Sequence, residues 1–123
     1  MLLKFDFGSS VPIYLQLRNQ VVIAIAEGKL APGEQLPTIR ALAEESGINM
    51  MTVSKAYQLL KQEGYITSDR RSGTIVMPRT GRGVPSEDTL HTLRLCISEL
   101  RIAGVGCEEL LKMCQQMYEE GEA

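Results

Sequence analysis

Asn49, Met50, Met51, Thr52, Ser54 and Lys55 crowd the start of the segment NMMTVSKAYQLLKQEG, in which Val53, Ala56, Tyr57 and Leu60 recur at i, i+3, i+4 and i+7. That period predicts a helix with its apolar side turned inward. Met51, Ser54, Lys55 and Gln58 then face outward, with Met50 beside them near the start. The chemistry open to such a face is recognition, not bond-making. Asn49 is able to cap the helix or bond an adenine edge, and Met50 and Met51 to touch thymine methyls. Thr52, Ser54 and Lys55 are able to bond phosphates. Thr38 and Arg40 lie at the start of a preceding short helix, where Arg40 points away from the Ile39/Leu42/Ala43 stripe toward a phosphate or a guanine. Arg70, Arg71, Ser72 and Gly73 form the basic tip of a later hairpin, suited to a minor groove, with Gly73 permitting close backbone approach.

Each feature taken singly has a blander reading. An isolated exposed arginine such as Arg40 is ordinarily just solvated, two methionines can fill a gap in a core, and a pair of tip arginines can serve only solubility. Their convergence on one surface of a single motif is what points to duplex DNA.

The elements that must position these residues follow from local signals. Pro12 starts a helix running to about Glu27, with Ile13, Leu17, Val21 and Ile25 inward and Gly28 as its stop. A turn over 30–34 leads to a very short extended piece around Gln35 and Leu36. Thr38 caps a helix ending near Ser46, Gly47 supplies the left-handed turn residue, Ile48 plugs the turn and Asn49 caps the next helix to Glu63. Tyr65–Thr67 and Thr74–Met77 are β-prone around the tip Ser68–Gly73. This order predicts a mainly α fold with a small β-hairpin wing, a winged helix-turn-helix in residues 1–78.

Residues 79–85 (RTGRGVP) read as a linker, and 86–123 as two helices, from Ser86 to about Ala103 and from Glu108 to Glu120, broken at Gly104–Gly106. Leu90, Leu93, Ile97 and Leu100 form an apolar stripe on the first, and Leu110, Cys114, Met117 and Tyr118, with Leu111 alongside, form one on the second. A helical hairpin this small has almost no core of its own. Its stripes predict dimerisation with a second copy, the alternative being that the pair folds back on its own winged helix. Charge divides at the same place. Residues 1–85 carry ten Lys/Arg against seven Asp/Glu, a balance of +3, and residues 86–123 carry three against eight, a balance of −5.

Other classes fit less well. With 123 residues, one histidine, no phosphate-binding glycine loop and no nucleophile paired with a base, an enzyme is not expected, nor is a cofactor. No apolar run of membrane-spanning length and no leader occur, and three unframed cysteines fit a reducing cytoplasm. A thiol- or metal-responsive regulator using Cys96, Cys107, Cys114 and His91 is the alternative function. The absence of C-x-x-C or H-x-x-x-H spacing favours cysteines buried as small hydrophobes. A winged helix used only for protein contacts is a third class. No residue pattern specifies a small-molecule effector.

The segments PIYLQL (Pro12–Leu17), LAPGEQLPTIRALAEESGIN, MTVSKAYQLLKQEGYI and SGTIV together resemble the GntR family of bacterial transcription regulators over about residues 10–77. The two-helix tail resembles the YtrA-type subfamily. The resemblance implies a homodimeric repressor of an inverted-repeat operator, with control of a neighbouring transporter operon. It implies DNA contacts at Arg40, at Asn49, Met50, Met51, Thr52 and Ser54, and at the wing over Arg71–Gly73. Two departures stand out. Met50 replaces an arginine or, in YtrA-type members, often a proline, and the usual wing R-G-K-G-T reads Arg70, Arg71, Ser72, Gly73, Thr74 here.

Overall fold

The structure, a computed structural model, describes residues 3–122. It divides into two compact units, Met1–Arg79 and Thr80–Ala123. The first contains helices α1 (Ile13–Ala26), α2 (Ile39–Ser46) and α3 (Met50–Gln62) and strands β1 (Ile66–Asp69) and β2 (Gly73–Val76). The second contains α4 (Glu87–Ile102) and α5 (Cys107–Glu122).

Helix α3 is the centre of the first unit, with both α1 and α2 packed on it. Its Val53, Ala56, Tyr57 and Leu60 are buried, together with Leu17, Val21 and Ile25 of α1 and Leu42 and Ala43 of α2. These are the inward stripes that the 3.6-residue period requires. The caps follow the side-chain chemistry. Thr38 Oγ1 accepts from the Ala41 N–H at 3.0 Å, and Asn49 Oδ1 accepts from the Met51 N–H at 2.7 Å. Between them Gly47 sits at φ 69, a left-handed backbone that a side chain would oppose. Tyr57 donates its hydroxyl proton to the Pro37 carbonyl at 2.8 Å, fastening α3 to the entry of α2.

The wing is longer and wider than local propensity predicts. Its register, Ile66↔Val76 through Asp69↔Gly73, carries the ladder two residues past Thr67 and leaves only Arg70–Ser72 as the turn. The cause lies at the tip: the Asp69 carboxylate accepts from the N–H groups of Arg71 and Ser72, and Gly73 closes the turn at φ 68. On its other edge β2 pairs with the extended piece at Gln35. There the Leu36 N–H donates to the Thr74 carbonyl at 2.7 Å and the Gly33 N–H to Val76 at 2.8 Å. The segment around Gln35 and Leu36 thus acts as a third strand for the hairpin.

Residues before α1 are held by two glutamines one helical turn apart. Gln20 accepts from the Lys4 N–H and donates to the Lys4 carbonyl, at 3.1 and 2.7 Å. Gln16 does the same for Asp6, at 2.9 Å in both directions. Their amides act as a neighbouring strand would, and Leu3 and Phe5 pack against the core.

In the second unit Ser86 caps α4 through the Thr89 N–H, and Glu87 and Asp88 sit in the first turn, where they complement the helix dipole. Gly104, at φ 91, breaks the chain before α5. The two helices follow one another without packing extensively, and no residue of α4 is buried.

Burial pushes the Tyr57 hydroxyl up to about 12 from an ordinary 10.0. The folded state therefore holds this proton more tightly than the unfolded chain does. Its contribution to stability is complete below pH 10 and is lost as pH rises toward about 12. Urea unfolding of Tyr57→Phe should show a loss of about 0.5–1.5 kcal/mol at neutral pH. Between pH 10 and 12 the variant should decline less steeply than the parent protein.

Candidate nucleic-acid interface

The outer face of α3 is bare. Met51 is 80% exposed and Met50 46%, so neither fills the core, and the bland reading of these two residues is set aside. Lys55 and Gln58 are exposed, while Thr52 and Ser54 are half-buried. No acidic residue occupies the first turn of α3, which leaves its positive end unopposed. Met51, Thr52, Ser54, Lys55 and Gln58 line a shallow groove whose other wall is the start of α1, Pro12 to Tyr14.

Of the two roles open to Asn49, the structure shows the cap. A bidentate adenine contact uses both the oxygen and the nitrogen of the side-chain amide. Here one lone pair of the oxygen accepts from the Met51 N–H in the helix cap, and the NH2 group is left free to donate. Thr38 is similarly a cap whose hydroxyl proton stays available. Arg40 stands exposed in the first turn of α2 and forms no ion pair among the described residues.

At the wing tip Arg70, Arg71 and Ser72 are exposed. The backbone N–H groups of Arg71 and Ser72 point at Asp69, so these two donors are turned inward while the side chains of the tip face out. Gly73 also has a role in the turn. A Cβ there would lie 3.1 Å from Gln35 Nε2 and the residue sits at φ 68, so the fold itself favours glycine, independent of any DNA approach. Arg40 and the tip residues belong to the same unit as α3 but lie outside the groove on its outer face.

Three features escaped sequence reasoning. The Lys55 ammonium sits 4.0 Å from the centroid of the Tyr14 ring, a cation–π contact between α3 and α1. Arg18 forms a two-pronged bridge to Glu63 at 2.8 and 2.9 Å and lies over Tyr65, joining α1 to the end of α3 and the root of the wing. The hydrogen bond to Glu63 raises the Arg18 pKa above its ordinary value. The third is Asp69. Of these, only Asp69 carried a local signal, since Asp favours the residue that opens a tight turn.

The tail departs from expectation in one respect. Cys96, Cys107 and Cys114 are free and exposed in the single chain instead of buried, and α4 and α5 do not pack extensively on one another. No group of three metal-ligating side chains occurs among the described residues. Along the predicted stripes Leu90, Leu93 and Met117 are exposed, whereas Ile97, Leu100 and Leu110 are half-buried. No described helix is long and apolar enough to cross a membrane.

Comparison with known proteins places this geometry among relatives. The pattern of bacterial regulatory proteins, gntR family, matches residues 13–76. The HTH-type transcriptional repressor YtrA of Bacillus subtilis is 35% identical over 112 residues, spanning 89% of this chain and 86% of that protein. Among solved structures, a transcriptional antiterminator from Listeria monocytogenes EGD-e superposes with a TM-score of 0.87 at 28% identity, over 100% of this chain and 94% of that one. The DNA-binding domain of AraR, in complex with operator ORX1, superposes with a TM-score of 0.54 at 28% identity, over 62% of this chain and 95% of that one.

Because Asn49 caps α3, Asn49→Ala should lower the unfolding free energy by about 0.5–2 kcal/mol without DNA present, whereas Asn49→Asp should retain most of it. Denaturant midpoints of the two variants, measured side by side, check this.

Proposed function

The chain belongs to the gntR family of bacterial regulatory proteins, and on that premise we propose that it is a cytoplasmic repressor, not an enzyme, that binds an inverted-repeat operator as a homodimer. Residues 1–78 form the DNA-binding domain, 79–85 the linker and 86–123 the dimerisation tail. The observation that carries the reading is the outer face of α3, bare and uncharged by acids while its reverse side fills the core. The repressor relative YtrA and the operator-bound AraR domain support the same direction.

In this reading α3 enters a major groove, where Met50 and Met51 meet thymine methyls and Thr52, Ser54 and Lys55 bond phosphates. The free amide hydrogens of Asn49 and the hydroxyl of Thr38 add phosphate donors. Arg40 reaches a phosphate or a guanine at the groove edge. Arg70, Arg71 and Ser72 follow the adjacent minor groove through their side chains, with Gly73 shaping the turn.

Leu90, Leu93, Ile97 and Leu100 of α4 and Leu110, Cys114 and Met117 of α5 meet a second copy. The exposure of Leu90, Leu93, Cys114 and Met117 in the single chain and the absence of extensive α4–α5 packing support this pairing. Twofold pairing then matches half-sites about 34–36 Å apart.

Footprinting on the DNA upstream of the gene, at two salt concentrations, tests the proposal. Protection of two half-sites with affinity falling steeply as salt rises is expected, and failure to bind every duplex from that region would refute it. Arg40→Ala should weaken operator binding by about 1–3 kcal/mol, and unchanged affinity would remove Arg40 from the site. A chain truncated before Ser86 should be monomeric by light scattering and bind the operator far more weakly. A truncated chain that stays dimeric would overturn the tail assignment.

A further inference from the structure

We propose that Tyr14 is a positioning residue for DNA binding: its ring holds the Lys55 ammonium at the rim of the groove beside α3, so that the cation is already placed when a phosphate arrives. The inference rests on the DNA-binding reading above and adds to it a residue of α1 that need not touch a base.

Lysine carries a long, flexible stem, and fixing it in one rotamer on binding costs entropy that weakens a single phosphate contact. Lys55 escapes much of this cost. Its ammonium lies 4.0 Å from the Tyr14 ring centroid, well inside the range of a cation–π attraction. Tyr14 is itself half-buried and packed against the core, so the platform is fixed by the fold. Lys55 forms no ion pair among the described residues, which leaves the outer side of the ammonium open. The ring and the ammonium border the same groove as Met51, Ser54 and Gln58. A phosphate approaching that groove therefore meets a cation whose position is set by packing between α1 and α3, not by chance sampling.

The contact is sequence-independent, so its loss should weaken all duplexes alike. With the full-length protein, Tyr14→Leu should bind both the upstream duplex and an unrelated duplex of equal length about two- to fivefold more weakly, the range expected of an exposed cation–π contact. Tyr14→Phe, which keeps the ring, should bind as the parent does. Lys55→Gln should weaken binding and reduce the slope of log affinity against log salt by about one. In that background Tyr14→Leu should have no further effect.

The free protein offers a second measurement that does not depend on the Leu variant folding. The Lys55 ε-methylene protons should resonate upfield from ring current, in the parent and in Tyr14→Phe. Additive losses for Tyr14→Leu and Lys55→Gln, equal losses for the Phe and Leu variants, or unshifted Lys55 protons would each overturn the proposal. A parent protein with no salt-dependent affinity for either duplex would instead defeat the DNA reading itself, and the inference with it.

Discussion

Helix α3 has to be gripped by half of its surface so firmly that the other half can be left with nothing to hold. Val53, Ala56, Tyr57 and Leu60 carry the grip, each at most 1% exposed. Around them α1 and α2 converge, the Tyr57 hydroxyl ties in the start of α2, and the Arg18–Glu63 bridge ties in α1 and the root of the wing. These contacts are unlike in strength. Burial of the four side chains supplies most of the hold, at about 1.5–3 kcal/mol for a large aliphatic or aromatic residue. The Arg18–Glu63 pair is partly solvated, so it contributes direction more than energy. A helix fixed in this way presents its outer residues at a set angle and depth, which a groove of duplex DNA requires.

Much of this arrangement was legible in the sequence, for a physical reason. Helix periods, caps at Thr38, Asn49 and Ser86, and the left-handed Gly47 are local effects, decided within three or four residues of the chain. The inner stripe of α3 and the outward turn of Met51 and Lys55 followed from period alone. What stayed hidden were pairings across the chain. Arg18 and Glu63 are 45 positions apart and Gln20 and Lys4 are 16 apart, separations at which spacing carries no information. Nothing local marks Tyr14 as a platform for Lys55, because that depends on how α1 crosses α3. The buried-cysteine expectation failed for the complementary reason: an apolar period says that a helix has a side to cover, not what covers it, and the three cysteines are exposed in the single chain.

The wing illustrates how one side chain changes an interface without touching a ligand. With Asp69 satisfying the N–H groups of Arg71 and Ser72, the tip is a closed hydrogen-bonded turn. Its attraction for an anion then comes from two arginine side chains, offset by a carboxylate only a few bonds away. The tip arginines are exposed, and in the proposed reading they supply general positive charge, so that the wing steers and anchors more than it reads. In the proposed reading, sequence discrimination is left to the outer face of α3, with help from Arg40.

That division of labour leaves the identity of Met50, Met51, Ser54 and Gln58 almost independent of folding, since none of them belongs to the buried core. Substitutions at exposed positions of this kind usually alter stability by less than about 0.5 kcal/mol. A gene duplicate could therefore wander across this face, acquiring a new target site by single codon changes, while the scaffold beneath it stays under unchanged selection. Divergence of regulons would then be gradual, with few folding casualties along the way.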